Sequence, residues 1–212
     1  MNKADQQTIS KTTILKGEFS FYNAPITNAS PARSITLKDL YSLIVGHRYK
    51  GVTEKYRQLL AANQEGELKK IYFDYVTFCG TFSSRKNDAL IAPSGYIVLD
   101  IDKQSNVNAI KERLIADKEL DPQLIFISPG GEGLKAVVEY DVEEILSPNN
   151  GDGLSRLWPA INTYLAANYN DLIRPDARGN YIDPSGKDLS RACFICYDEN
   201  CFINSKILNN VN

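Results

Sequence analysis

The most constraining stretch in the chain is Gly95-Tyr96-Ile97-Val98-Leu99-Asp100-Ile101-Asp102, a short apolar run ending in two carboxylates one residue apart. Tyr, Ile and Val favour a strand, and unbroken apolarity predicts burial on both faces. Alternation along a strand puts Asp100 and Asp102 on one side, their Cα atoms roughly 6–7 Å apart. Two such carboxylates repel, and a hard divalent cation relieves the repulsion. The pair therefore reads either as a Mg²⁺ or Mn²⁺ site at the end of a central strand, or as a strand running out into a polar loop.

The remaining pattern frames that strand. Helical spacing of Leu37, Leu40, Tyr41, Ile44 and Val45, with Thr36 as cap and Asp39 three residues on, predicts a first helix. A break over 46–51 precedes a second helix over 53–63. Strands are expected over 13–22 and 69–78, and a basic, hydroxyl-rich loop over 80–87. After the 95–102 strand come a helix over 107–120, a strand over 124–127, a glycine loop, a strand over 134–140, a turn over 148–153, a helix over 154–168, a strand start at 181–183 and a strand over 192–197. From residue 95 the order is β-α-β-β-α-β, that of a ferredoxin-like or RNA-recognition-motif-like unit. The expectation is an α+β fold in which residues 1–212 form one domain. A smaller α/β module (about 10–94) would pack beside the RNA-recognition-motif-like module (95–204).

Composition narrows the function classes. With 43% hydrophobic and 24% charged residues, the 212-residue chain can build a core without disulfide staples. It has no run of eighteen apolar residues and no apolar signal-peptide core in 1–7, so a cytoplasmic location is expected. The net charge of −2 counts mildly against a dedicated nucleic-acid binder, although a local basic face can sit on an acidic protein. The single histidine, His47, removes multi-histidine metal sites and is read as a loop residue. Cys193, Cys196 and Cys201 could form a zinc set with Cys79. Residues three apart on a strand face opposite ways, however, which favours reduced structural thiols.

Two further segments carry chemistry. In Ser128-Pro129-Gly130-Gly131-Glu132-Gly133-Leu134-Lys135, glycines let backbone N–H groups approach an anion, and Lys135 offers a point charge to phosphate. The alternative is a hairpin turn with a surface lysine. Tyr181-Ile182-Asp183, followed by Lys187, Asp188 and Arg191, supplies a further carboxylate that can return to the same sheet edge. Its alternative is a polar loop. Arg85 and Lys86, with Lys55 and Arg57, are candidates for nucleic-acid phosphates or for solvated surface charge.

Together these segments resemble the archaeo-eukaryotic primase and primase-polymerase superfamily. Val98-Leu99-Asp100-Ile101-Asp102 matches its h-D-h-D strand, Ser128 to Val138 its glycine loop and following strand, and Asp183 its later acidic residue. More narrowly, Gly80-Thr81-Phe82, the 128–135 loop and Ser190-Arg191-Ala192-Cys193-Phe194 with Tyr197-Asp198 resemble the VirE N-terminal-like family of bacterial mobile elements, over about residues 19–204. The resemblance implies two-metal nucleotidyl transfer in replication or transfer of a mobile element. Asp100, Asp102 and Asp183 would bind Mg²⁺ or Mn²⁺, with Asp188 competing for the third place. Ser128, Gly130, Gly131, Gly133, Lys135 and Arg191 would hold a nucleoside triphosphate. Implied partners are single-stranded or primed nucleic acid and a helicase-type ATPase, fused or separate. Lys135 stands where the superfamily has a histidine, which favours the alternative of a catalytically degenerate module that only binds single strands or nucleotides. A phosphotransferase with Asp100 as nucleophile ranks below both, because that group places its D-x-D near the start of the fold.

Overall fold

The computed structural model describes residues 17–143 and 153–209. Most of the turn expected over 148–153, and the 13–16 part of the first strand, lie outside them. The fold is α+β, built on two four-stranded sheets and a two-stranded hairpin among the described residues.

The first layer contains β1 (Phe19–Tyr22), β2 (Arg33–Ile35), α1 (Leu37–Val45), α2 (Lys50–Ala61), α3 (Leu68–Tyr72) and β3 (Tyr75–Thr77). The hairpin that follows is β4 (Gly80–Phe82) with β5 (Leu90–Pro93). The second layer runs β6 (Tyr96–Ile101), α4 (Val107–Ala116), β7 (Leu124–Ile127), β8 (Leu134–Glu139) and α5 (Gly153–Asn168); β9 (Cys193–Phe194), β10 (Phe202–Ile203) and α6 (Ser205–Asn209) complete the chain. Thr36 caps α1 in a reciprocal capping box with Asp39.

Several expectations change. Residues 69–72 are helical rather than strand. The turn exposes Ile71 and Tyr72 while Phe73 is fully buried, and β3 begins only at Tyr75. Residues 80–82 are strand rather than loop, because Phe82 buries its ring and its N–H donates to Ser20 Oγ at 2.9 Å. The break over 46–51 is a 3-10 turn at His47–Tyr49 running straight into α2. Residues 181–183 form an irregular segment, followed by a 3-10 turn at Pro184–Lys187.

The expected β-α-β-β-α-β order is met through its first three strands. β6 and β7 both pair antiparallel with β8. The strand expected over 192–197 shrinks to β9 and joins the first sheet beside β3, in the order β2-β1-β3-β9. The second sheet takes β10 on the far side of β7, giving β10-β7-β8-β6 and leaving β6 at an edge. The buried Cys193 and Ile195 and the Ile195 N–H to Asp74 carbonyl bond of 2.9 Å hold β9 in the first layer.

Parity along the second sheet sorts its residues. Ile97, Leu99, Ile101, Leu134, Ala136 and Val138 pack on Ile110 and Leu114 of α4 and Leu154, Trp158, Ile161 and Leu165 of α5. Val98, Leu124, Phe126 and Val137 face the other way and share a core with Phe19, Phe21, Leu40, Ile44 and Tyr56 of the first layer. Asp100 has the parity of Val98, and Lys135 that of Val137, so both point toward the junction between the layers. No helix among the described residues is long and apolar enough to cross a membrane.

Candidate metal and phosphate site

The site is assembled on β6. Its core residues Ile97, Leu99 and Ile101 are fully buried, which fixes the register and leaves Asp100 facing the layer junction and Asp102 just past the strand end. The segment carrying Asp183 is stitched to the same strand. The Asp183 N–H donates to the Asp100 carbonyl at 2.9 Å, and the Trp158 indole N–H donates to the Asp183 carbonyl at 3.0 Å. As a result Asp100, Asp102 and Asp183 each place a carboxylate oxygen within 4.8 Å of the others. Asp188 is not in this group; its carboxylate faces Ser190, whose N–H lies at 3.3 Å.

Two cations meet the carboxylates. Lys135 lies directly across from Asp100 in the β6–β8 register and forms an ion pair with Asp100 Oδ2, both side chains largely buried. Arg191 pairs with Asp183 Oδ2 at 2.9 Å and is more exposed. Burial is the largest influence on Asp100 and pushes its carboxyl above the usual range; Lys135 pulls against it and Asp102 adds to it. Burial works against the Lys135 charge, but Asp100, Cys193 and Asp102 together more than restore it. Burial also opposes ionisation of Asp183, yet the Ser185 donors, Arg191 and Lys135 together hold it below the usual carboxylate range.

The glycine loop wraps the open end of this group. The Ser128 N–H donates to the Gly133 carbonyl at 2.8 Å and the Gly131 N–H to the Ser128 carbonyl at 2.9 Å, so these two donors are used inside the loop. Gly131 sits at φ +87°, where a side chain would be strained. Gly133 lies so close to Asp102 that a Cβ there would stand 3.1 Å from Asp102 Oδ1. Arg57 is not free for nucleic acid. Its guanidinium donates to the carbonyls of Pro129 at 3.1 Å and Ser128 at 3.3 Å and clamps the loop from α2.

Gln104, which the sequence did not single out, ties the site together. It is 5% exposed. Its Nε2 donates to the Asp102 carbonyl at 2.8 Å and the Arg174 carbonyl at 2.9 Å, and its Oε1 accepts from the Arg174 N–H at 2.9 Å. Its own N–H donates to the Glu132 carbonyl at 2.8 Å. The only sequence signal was its position just after the D-x-D pair.

Asp100 and Asp102 open onto a cleft of about 780 Å³ between the layers, lined also by Ser128, Gly130, Lys135 and Arg191, by the cations Lys69, Lys70 and Arg85, and by the carboxylates Glu132 and Asp188. Asp183 reaches it from a neighbouring pocket of about 450 Å³ that shares Asp100 and Asp102. Lys69 and Lys70 were hidden by the strand reading of their segment. The Arg85 side chain donates to the Ile26 carbonyl at 3.0 Å and lies over the Tyr75 ring. Lys86 and Lys55 are exposed and are not among the residues lining this cleft. All four cysteines are buried and unpaired, and burial raises their thiols; none joins a ligand cluster among the described residues. His47 is exposed beside Tyr197.

The donor set fits a hard divalent ion. It is all oxygen, and Asp100 Oδ1 is buried with no hydrogen-bond partner. A ligand to a Mg²⁺-sized ion lies about 2.1 Å from it, so small side-chain rotations would close the present spacing. A family model described as BT4734-like, N-terminal domain, matches residues 67–202. The chain belongs to the BT4734-like N-terminal domain family. Comparison with curated proteins and with solved structures finds no match. The segment matched to the BT4734-like domain contains the three carboxylates, the glycine loop, Lys135 and Arg191, and leaves Arg57 and most of the first layer outside.

Proposed function

We propose that this BT4734-like domain is a primase-polymerase-like nucleotidyltransferase, of VirE N-terminal type, acting in replication or transfer of a mobile genetic element. The observation that carries the reading is the meeting of Asp100, Asp102 and Asp183 at the mouth of a cleft holding a glycine loop and several cations. The β6-α4-β7-β8 unit, with α4 and α5 on one face, supports an RNA-recognition-motif-like catalytic core, with the fourth strand relocated.

Asp100, Asp102 and Asp183 would hold Mg²⁺ or Mn²⁺, which when bound supplies a lowered hydroxyl pKa at the attacking group and charge stabilisation at the leaving pyrophosphate. The chain's own residues position the rest. Lys135 and Arg191 stand where the charge of a triphosphate would lie. Gly133 and Ser128 form the wall against Asp102, and Gln104 fixes the backbone on which Asp102 and the loop depend. Lys69, Lys70 and Arg85 extend the positive lining toward the outer cleft, where a primer or template strand would run. Little proton-transfer machinery is required, in keeping with a single histidine.

The test is template-dependent incorporation of labelled nucleotides with Mg²⁺ or Mn²⁺, beside an Asp100→Ala/Asp102→Ala control. Incorporation by the unmodified chain alone is expected. Failure on all templates removes the enzyme reading, and equal activity in the control removes the site. A second reading, a module that binds single strands without chemistry, is favoured by one observation: Lys135 already neutralises Asp100. It requires salt-dependent strand binding with no metal-dependent turnover.

A further inference from the structure

We infer that Lys135 is a built-in counter-ion that a divalent cation has to displace from Asp100, so that metal entry and the release of an ammonium into the cleft are one event. The inference rests on reading the three carboxylates as a metal site.

Four observations carry it. Lys135 and Asp100 are direct partners in the strand register, so the backbone holds the two side chains together and neither can leave except by rotating its stem. Their side chains are 12% and 15% exposed, so water screens the contact little. The pair occupies Asp100 Oδ2, while Oδ1 is buried without a hydrogen-bond partner and belongs to the residue that meets Asp102 and Asp183. Lys135 also lines the cleft beside Ser128, Gly130 and Arg191, which gives its ammonium somewhere to go.

The electrostatics follow. Lys135 and Arg191 offset two of the three carboxylate charges, which weakens the attraction for a dication. Their contributions are unequal. Arg191 is 44% exposed, so its pairing with Asp183 is loosened by solvent. Lys135 is buried against Asp100, so its pairing is screened little. Once a dication takes over the neutralisation of Asp100, the Lys135 ammonium faces a cleft lined by Arg191, Lys69, Lys70 and Arg85 as well as by Glu132 and Asp188, and a multiply charged anion there becomes its strongest partner. By linkage, an anion that draws Lys135 away from Asp100 tightens metal binding by the same factor by which metal tightens the anion. The site would then bind metal weakly on its own and firmly together with a polyphosphate.

The experiment measures Mn²⁺ binding, by electron paramagnetic resonance of free Mn²⁺ and by calorimetry, without nucleotide. It compares the full chain with Lys135→Met and Lys135→Gln. Both variants keep the stem and remove the charge, and circular dichroism checks their folding. We expect both to bind Mn²⁺ at least about tenfold more tightly than the unmodified chain, and Arg191→Met to change affinity by less than about threefold. Asp102→Asn in the Lys135→Met background should abolish the gain, which locates it at the carboxylates. Unchanged or weaker affinity in the Lys135 variants, with the unmodified chain binding, would overturn the counter-ion role and leave the metal reading intact. Absence of binding in all variants removes the metal reading and the inference with it. If one Lys135 variant fails to fold, the other decides.

Discussion

Gly133→Ala tests whether the glycine loop is built around Asp102. A methyl group at this position would stand 2.8 Å from the Ile101 carbonyl oxygen, 3.1 Å from Asp102 Oδ1 and 3.1 Å from Ser128 Oγ, where ordinary contact begins at 3.4 Å. The first neighbour is backbone of β6 and cannot rotate away. The second is a proposed ligand. Gly133 also accepts the Ser128 N–H bond that closes the loop. The methyl therefore has to separate the loop from the strand end by several tenths of an ångström. Such overpacking costs about 1–3 kcal/mol, which lowers the melting temperature of a chain this size by roughly 2–12 °C. Gly131→Ala is the matched control. Its φ of +87° costs about 1 kcal/mol of strain, but its nearest neighbour is Arg57 Nε at 3.5 Å and it does not touch Asp102. Thermal unfolding and Mn²⁺ titration of both variants separate the effects. Gly133→Ala should lose stability and at least about tenfold in affinity, or 1.4 kcal/mol, whereas Gly131→Ala should lose stability alone. Equal affinity in the two variants would refute the reasoning.

Three other perturbations follow from the hydrogen-bond pattern. Gln104→Ala removes three buried bonds to Asp102 and Arg174 and should cost roughly 2–4 kcal/mol in urea unfolding, with weakened Mn²⁺ binding as a second readout. Asp198→Ala removes the counter-ion 3.8 Å from the buried Lys111 ammonium, leaving it the Asn200 carbonyl, and orphans the Ile127 N–H, and should cost about 3–5 kcal/mol in the same assay, with little effect on Mn²⁺ affinity if the chain stays folded. Asp117 accepts from the Leu120 N–H and from the hydroxyls of Tyr164 and Tyr169, tying α4 to α5. Burial opposes its ionisation, but the Tyr169, Leu120 and Tyr164 donors win and lower its pKa. Its contribution is thus complete above the unfolded carboxylate value near 3.9 and is lost as pH falls through the lower folded value. Asp117→Ala should cost about 2 kcal/mol at neutral pH, and the difference from the unmodified chain should shrink in acid denaturation below about pH 4.

What the sequence made legible was local or periodic. The apolar run of β6, its parity and the α1 capping box follow from short-range rules, and all appear in the structure. Asp100 and Asp102 share a side because alternation demands it. The juxtaposition of Asp183 was not readable from spacing, since it depends on a backbone bond between segments far apart in the chain. The ion pair of Lys135 with Asp100 requires the β6–β8 register, which no single segment encodes. Gln104 was invisible because its role lies in three backbone contacts rather than in its chemistry. The exchange of β9 for β10 escaped for a different reason: both segments are short, and their neighbours are chosen by burial of Cys193 and Ile195 in the first layer. At 69–72 the apolar residues suggested a strand, but the helical turn leaves Ile71 and Tyr72 outside, and hydrophobicity alone does not report that.

The edge position of β6 has a consequence for how the protein can fail. An uncovered strand edge is a template for pairing with another chain. Here the Asp183 N–H occupies the Asp100 carbonyl near the end of that edge. The bond that delivers the third carboxylate therefore also covers this end of the edge against pairing with another chain. Changes that loosen this segment should appear as aggregation together with loss of the site, because one backbone bond serves both.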